Sequence, residues 1–315
     1  MTHSKLQFRV ITEGLKFPEG PIAMADGSVL VVEIEGGRLI RVLPDGTKQV
    51  VAELGGGPNG AAIGPDGKCY VCNNGGFNWI HNADGYARPH GRADSYEQGG
   101  IQRVDLASGA VEWLYTHCDG NPIMGPNDIV FDADGGFWFT DHGKSYDRLM
   151  DRGAVFYART DGSFIKEAAF PLITANGVGL SPDGKTLYAS ETETGRLWAW
   201  PVLGPGELAK QPWPSPHGGV FLGGSSGYQR FDSLAVEAGG NICVASLVAG
   251  GISVFSPEGG LVEFYEAPEP YCTNIAFGGP DMRTAYITLS GYGQLVAAEW
   301  PRPGLVLGDP LTARG

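Results

Sequence analysis

A chain of 315 residues with a formal net charge of −13 has no cationic face with which to displace counterions from phosphates. This argues against a nucleic-acid binder and against docking on anionic membranes. No apolar run reaches the roughly 20 residues that cross a bilayer, and Met1 to Val10 lacks the apolar core of a signal peptide, so a cytoplasmic protein is expected. The 50 glycines and 22 prolines recur as punctuation between short apolar runs, a pattern of many tight turns.

The predicted elements are strands throughout. LQFRVITE, from Leu6, is the first. Glu19 then opens EGPIAMADG, followed by SVLVVE from Ser28, GRLIRV from Gly37 and KQVVAE from Lys48. Asn59 opens NGAAIGPDG, followed by KCYVCN, GIQRVDL and VEWLYT. Asn127 opens NDIVFDADG, Asn176 opens NGVGLSPDG, Asp232 opens DSLAVEAGG and Asn274 opens NIAFGGPDM, each with its own following strands. In five of the six segments an Asp-Gly or Gly-Gly turn begins seven residues after the opening polar residue; in the sixth, Met282 replaces the glycine. Two β-rich runs joined by such a turn form a hairpin. A third run enters through glycine and several repeats add a fourth, so the unit is a four-stranded antiparallel sheet of propeller-blade size. The prediction is an all-β, six-bladed β-propeller of four-stranded antiparallel blades. It forms a single domain over 1–315, with LQFRVITE closing the last blade and a lid-like insertion at about 73–99.

Five cysteines are an odd number in a long chain and fit a reducing compartment. Cys69 and Cys72 are spaced like a thiolate clip, but in a strand residues three apart point to opposite faces.

The innermost strand of each blade lines the axis of a propeller, so the opening residues form a ring there. Glu19, Asn59, Asn127, Asn176, Asp232 and Asn274 all carry oxygen donors, without cysteine or histidine. Taken singly, an Asn or Asp at a strand entry fits a local turn. Six in register, one of them a glutamate, fit a hard cation instead. Calcium is the first choice because its loose shell accepts amide oxygens, with Zn²⁺ or Mn²⁺ as alternatives.

At these residues the chain resembles the SMP-30/gluconolactonase/LRE-like family of six-bladed propellers, which is similar to diisopropylfluorophosphatase-type enzymes. The resemblance is carried by Phe17-Pro18-Glu19-Gly20-Pro21, Gly125-Pro126-Asn127-Asp128, Ala175-Asn176-Gly177 with Ser181-Pro182-Asp183-Gly184, and the strand around Asp232. It implies one divalent metal at the channel mouth, held by Glu19, Asn127, Asn176 and Asp232. One departure is Gly125, where the animal gluconolactonases carry arginine.

A cation there polarises a lactone carbonyl, and Asp232 is the candidate general base. The expected activity is hydrolysis of a small lactone to its hydroxy acid. The alternatives are organophosphate or other ester hydrolysis in the same site, and a non-catalytic, metal-stabilised ligand-binding propeller. The loop between second and third strands overhangs the metal face, and blades two and three enlarge it. Asn73 to Gly99 is expected to form a lid and Asp141 to Arg152 a wall, with Asn59, His142, Tyr146 and Asn274 contacting the substrate.

Overall fold

The second strands of the repeats alternate with apolar side chains on both faces, and this dictates how the sheets pack. In Val29–Glu33, Leu30 and Val32 turn to one side, Val29 and Val31 to the other, and all four are buried. A sheet with two apolar faces needs a neighbour on each side. Six such sheets satisfy one another by closing into a ring. The computed structural model, which describes residues 2–306, has this architecture: a six-bladed β-propeller, with no helix among the described residues.

The inner strands are Pro18–Ala23, Pro58–Ile63, Pro126–Phe131, Ala175–Leu180, Phe231–Val236 and Cys272–Gly278. Each lies against the inner strands of both neighbours, the sixth against the first. Arg9–Thr12, within LQFRVITE, closes the last blade by pairing antiparallel with Gln294–Glu299. A further strand, Thr2–Lys5, runs parallel to Leu261–Glu266 at the edge of blade five. The N-terminal segment therefore ties blade five to blade six, a bond that its composition does not foretell.

Six apolar clusters fill the six gaps between blades. Cys69 packs toward blade one and Cys72 toward blade three, in the opposed directions expected of their spacing. All five cysteines are buried and unpaired. Burial pushes the Cys69 thiol up to about 12, so this pair has no thiolate with which to bind a metal.

Every inner strand shifts register near its ring position, between Glu19 and Ile22, Pro58 and Ala61, Pro126 and Ile129, Ala175 and Val178, Phe231 and Leu234, and Cys272 and Asn274. A bulge bends a strand and re-aims a side chain; here the same distortion recurs at all six ring residues. The blades approach closely at this level. Gly20 has φ +52°, and a Cβ there would meet the Asn59 carbonyl oxygen of the next blade at 2.6 Å, a place only glycine fills without strain.

Hydroxyls at or just past the ends of three second strands fasten their blades to the next. Ser190 accepts the Gly177 N–H at 2.8 Å and donates to the Asp232 carbonyl at 2.7 Å. Thr140 donates likewise to the Asn176 carbonyl and Ser290 to the Pro18 carbonyl. Ser190→Ala strips two buried backbone groups of their partner and should lower the unfolding free energy by roughly 2 kcal/mol. Urea denaturation reads this as a lower midpoint at constant slope; an unchanged midpoint would show that the hydroxyl contributes nothing.

Candidate functional site

Closure of the ring brings the six opening residues to one level of the axis. Glu19, Asn59, Asn127, Asn176 and Asn274 are buried and Asp232 is half-buried. Asn274 Nδ2 and the Gly20 N–H both donate to Glu19 Oε2 at 2.7 Å. Asn176 Nδ2 donates to Thr192 Oγ1 at 2.9 Å, its Oδ1 accepts from Ser233 Oγ at 3.4 Å, and the side chain lies within hydrogen-bonding reach of Asp232. Asn127 Oδ1 is buried with no hydrogen-bond partner. Leaving an acceptor in that state costs about 1–3 kcal/mol, and a hard cation is the partner such an oxygen suits.

The electrostatics point the same way. Asp128 stands where blades one, two and four carry glycine, and it brings a third acid to the axis. Its Oδ1 accepts the Ile129 N–H at 3.0 Å and its Oδ2 the Val178 N–H at 3.1 Å. Burial and then the Glu19 charge push Asp128 up to about 8, and the same two causes hold Asp232 well above the usual carboxylate range. Burial also raises Glu19, against its bonds to Asn274 and Gly20. Three acids so crowded require protons or a cation to neutralise them. No group of three or more His, Cys, Asp and Glu side chains poised for a metal occurs among the described residues. A cation on the axis would therefore have to rely on the amide oxygens of Asn127 and Asn176 beside Glu19 and Asp232, a donor set whose chemistry fits calcium. Sequence reasoning overlooked Asp128, although its break with the repeated Glu-Gly and Asn-Gly pattern was visible.

Below the ring the axis opens into a largely apolar cavity of about 170 Å³, with Leu305 and Val306 in its lining. Above it lie the two enlarged loops. The blade-two insertion forms a hairpin, Phe77–His81 against Ala87–Arg92, that reaches blades one and six. His81 Nε2 lies 2.8 Å from Glu35 Oε1, the Ala87 N–H donates to the Gly291 carbonyl at 2.8 Å, and Tyr292 donates to Asp84 at 3.1 Å. Phe77, Trp79 and Ala87 of the hairpin pack against Phe17, Ile34 and Tyr271.

Lys144, from the blade-three loop, locks the base of this hairpin. It is 2 % exposed, donates from Nζ to Asn74 Oδ1 at 3.1 Å and to the Gly76 carbonyl at 2.9 Å, and sits 4.2 Å from the Phe77 ring centre. Burial depresses its ammonium to about 7. Lys144→Met keeps the apolar stem but removes both donors. Limited proteolysis should then cut residues 77–92 several-fold faster, with substrate KM rising more than kcat falls; an unchanged cleavage rate would remove Lys144 from this role.

The other expected contacts are placed less uniformly. The His142 N–H donates to the Gly125 carbonyl at 2.8 Å, two residues before Asn127. The residue is half-buried, and burial depresses its imidazole to about 4, so it is neutral at physiological pH. Tyr146 is on the outer rim, 38 % exposed, donating to Asp151 at 3.1 Å with Arg92 over its ring. A Cβ at Gly125 would lie 2.6 Å from the Gly143 carbonyl oxygen, so the blade-three loop leaves no room there for an arginine.

Residues 17–291 match the SMP-30/Gluconolactonase/LRE-like region. Lactonase drp35 of Staphylococcus saprophyticus is 29 % identical over 252 residues, which cover 78 % of this chain and 68 % of that protein. Diisopropyl-fluorophosphatase of Loligo vulgaris is 25 % identical over 321 residues, covering 94 % and 93 %. 6-Deoxy-6-sulfogluconolactonase of Pseudomonas putida is 29 % identical over 221 residues, covering 69 % and 72 %. Among solved structures, regucalcin, a calcium-binding protein of Agrobacterium tumefaciens, superposes with a TM-score of 0.75 at 20 % identity, covering 99 % of each chain.

Proposed function

The chain belongs to the SMP-30/gluconolactonase/LRE-like family, and on that premise we propose that it is a metal-dependent hydrolase opening a small lactone to its hydroxy acid. The relatives named as lactonases support the reaction class. The unpartnered Asn127 oxygen among acidic neighbours carries the metal dependence.

In this reading Glu19, Asn127, Asn176 and Asp232 hold a calcium ion, which supplies positive charge against the lactone carbonyl oxygen when bound. Asp232 takes the proton of the attacking water. Burial and the Glu19 charge raise its proton affinity in the metal-free protein, and calcium beside it would lower it again, leaving an ionised carboxylate that acts as a weak base. Asn59 and Asn274 orient the ring of the substrate, and neutral His142 donates a hydrogen bond to the ring oxygen, which leaves as the C–O bond breaks and takes up the proton that Asp232 removed from the water. Tyr146, at the rim, contacts only the far end of a larger substrate. The chain works as one propeller unit, and the insertion at about 73–99 serves as its lid.

Acid release from a panel of lactones tests this, with and without chelator and with Ca²⁺, Zn²⁺ or Mn²⁺ restored. Chelator-sensitive turnover restored by calcium is the expected result. The similarity to diisopropyl-fluorophosphatase over nearly both whole chains favours organophosphate hydrolysis as a second reading, because a Lewis acid polarises P=O as it does C=O. Turnover of neither class would leave a ligand-binding propeller.

A further inference from the structure

The face above the ring holds two arginines in unusual circumstances. Arg230 stands two residues before Asp232, and its carbonyl accepts the Leu247 N–H at 2.9 Å, which fixes its backbone. Its Nε is buried without a hydrogen-bond partner. Its ion pair with Glu193 is long, at 3.6 Å from Nη2, and both side chains are open to solvent at the outer end. Its charge acts on both His142, in the blade-three loop, and Tyr271, at the entry to blade six. Arg88 acts on Tyr271 from the insertion hairpin; it is exposed and forms no ion pair among the described residues. Asp232 also acts on Tyr271, whose ring packs 5.9 Å from Phe17 and 5.7 Å from Tyr86.

Two cations thus act on one tyrosine that Asp232 also acts on, in a chain of net charge −13. A half-buried guanidinium with an unsatisfied N–H is costly unless something pairs with it. Its planar fork matches an oxyanion. We propose that Arg230, assisted by Arg88, receives an anionic substituent of the substrate, so that the lactone opened at the ring carries a carboxylate or an oxyanion of similar geometry such as a sulfonate. Without these residues the acids of the axis would repel such a molecule; with them the anion is guided in and the lactone oriented. This rests on the lactonase reading above.

The test compares a γ-lactone carrying a ring carboxylate with the same lactone as its primary amide, on calcium-loaded protein. The wild type should prefer the carboxylate, and added salt should erode that preference. Arg230→Gln should cut the ratio of kcat/KM, carboxylate over amide, about ten- to hundredfold, Arg88→Gln by a smaller factor, and Arg230→Lys should restore part of it. A sulfonate analogue, run alongside, decides between the two oxyanions. No preference in the wild type, or a ratio unmoved by Arg230→Gln, overturns the proposal. If no lactone is opened, the activity fails separately, and calorimetric titration with succinate decides the anion site. Affinity lost in Arg230→Gln supports it, whereas absent binding or equal affinity in both proteins overturns it.

Discussion

Asp232→Asn should reduce lactone turnover by a factor of roughly a hundred or more while calcium remains bound. Asparagine has the shape of aspartate and retains one oxygen for a cation, and the Ser233 N–H that donates to Asp232 Oδ1 at 3.1 Å has the same acceptor. What disappears is the carboxylate proposed to take the proton of the attacking water. The loss should therefore fall on kcat, with KM nearly unmoved, the pattern of an interaction made in the transition state. Calcium affinity read by calorimetry should weaken far less than the rate, because the remaining donors persist. Parallel loss of rate and calcium would reduce Asp232 to a ligand and leave the base to be found elsewhere. Glu19→Gln provides the contrast. Its carboxylate is occupied by Asn274 and Gly20, so its substitution should act mainly through calcium affinity.

What the sequence could disclose about this site depended on repetition. A feature that recurs six times with one offset can be read without coordinates, and the ring, the hairpin turns and the closing strand all recur or follow from the recurrence. The bulges that accompany the ring residues left no mark in the pattern, because the register of pairing is a relation between strands. Thr2–Lys5 pairs with blade five for the same reason unseen. A subtler repeat is also present in the sequence. Each of the first four second strands ends on an acid or amide, Glu33, Asn73, Asp141 and Glu191. Each of these accepts the N–H of the residue two or three before its own blade's ring residue: Lys16 at 3.0 Å, Gly57 at 2.9 Å, Gly125 at 2.7 Å and Ile173 at 2.7 Å. These side chains fix where the ring residues enter, so they resemble candidate ligands in type while serving as positioners. Arg230, Lys144 and the docking of the insertion occur once each. Only the fold brings them to the face above the ring, and no periodicity announces them.

Removing calcium should destabilise the protein by an amount that grows between pH 4 and pH 8. In the chelated protein Asp128 keeps its proton up to about pH 8 in the folded state but loses it near 3.8 when unfolded, and Glu19 and Asp232 are shifted in the same direction. Between those limits the native state binds more protons than the unfolded one, so stability falls as pH rises. The slope for one fully coupled proton is about 1.4 kcal/mol per pH unit. That contribution is complete below the unfolded value and gone once pH passes the folded one. Calcium on the axis reverses the preference by favouring the ionised acids, so the loaded protein should show a nearly flat profile over the same range. Chemical denaturation at constant ionic strength, with chelator and with excess calcium, measures both curves. The gap between them should be small at pH 5 and several-fold larger at pH 8, and Asp128→Asn should flatten the chelated curve. Parallel curves would mean that the buried acids of the axis are not what calcium neutralises.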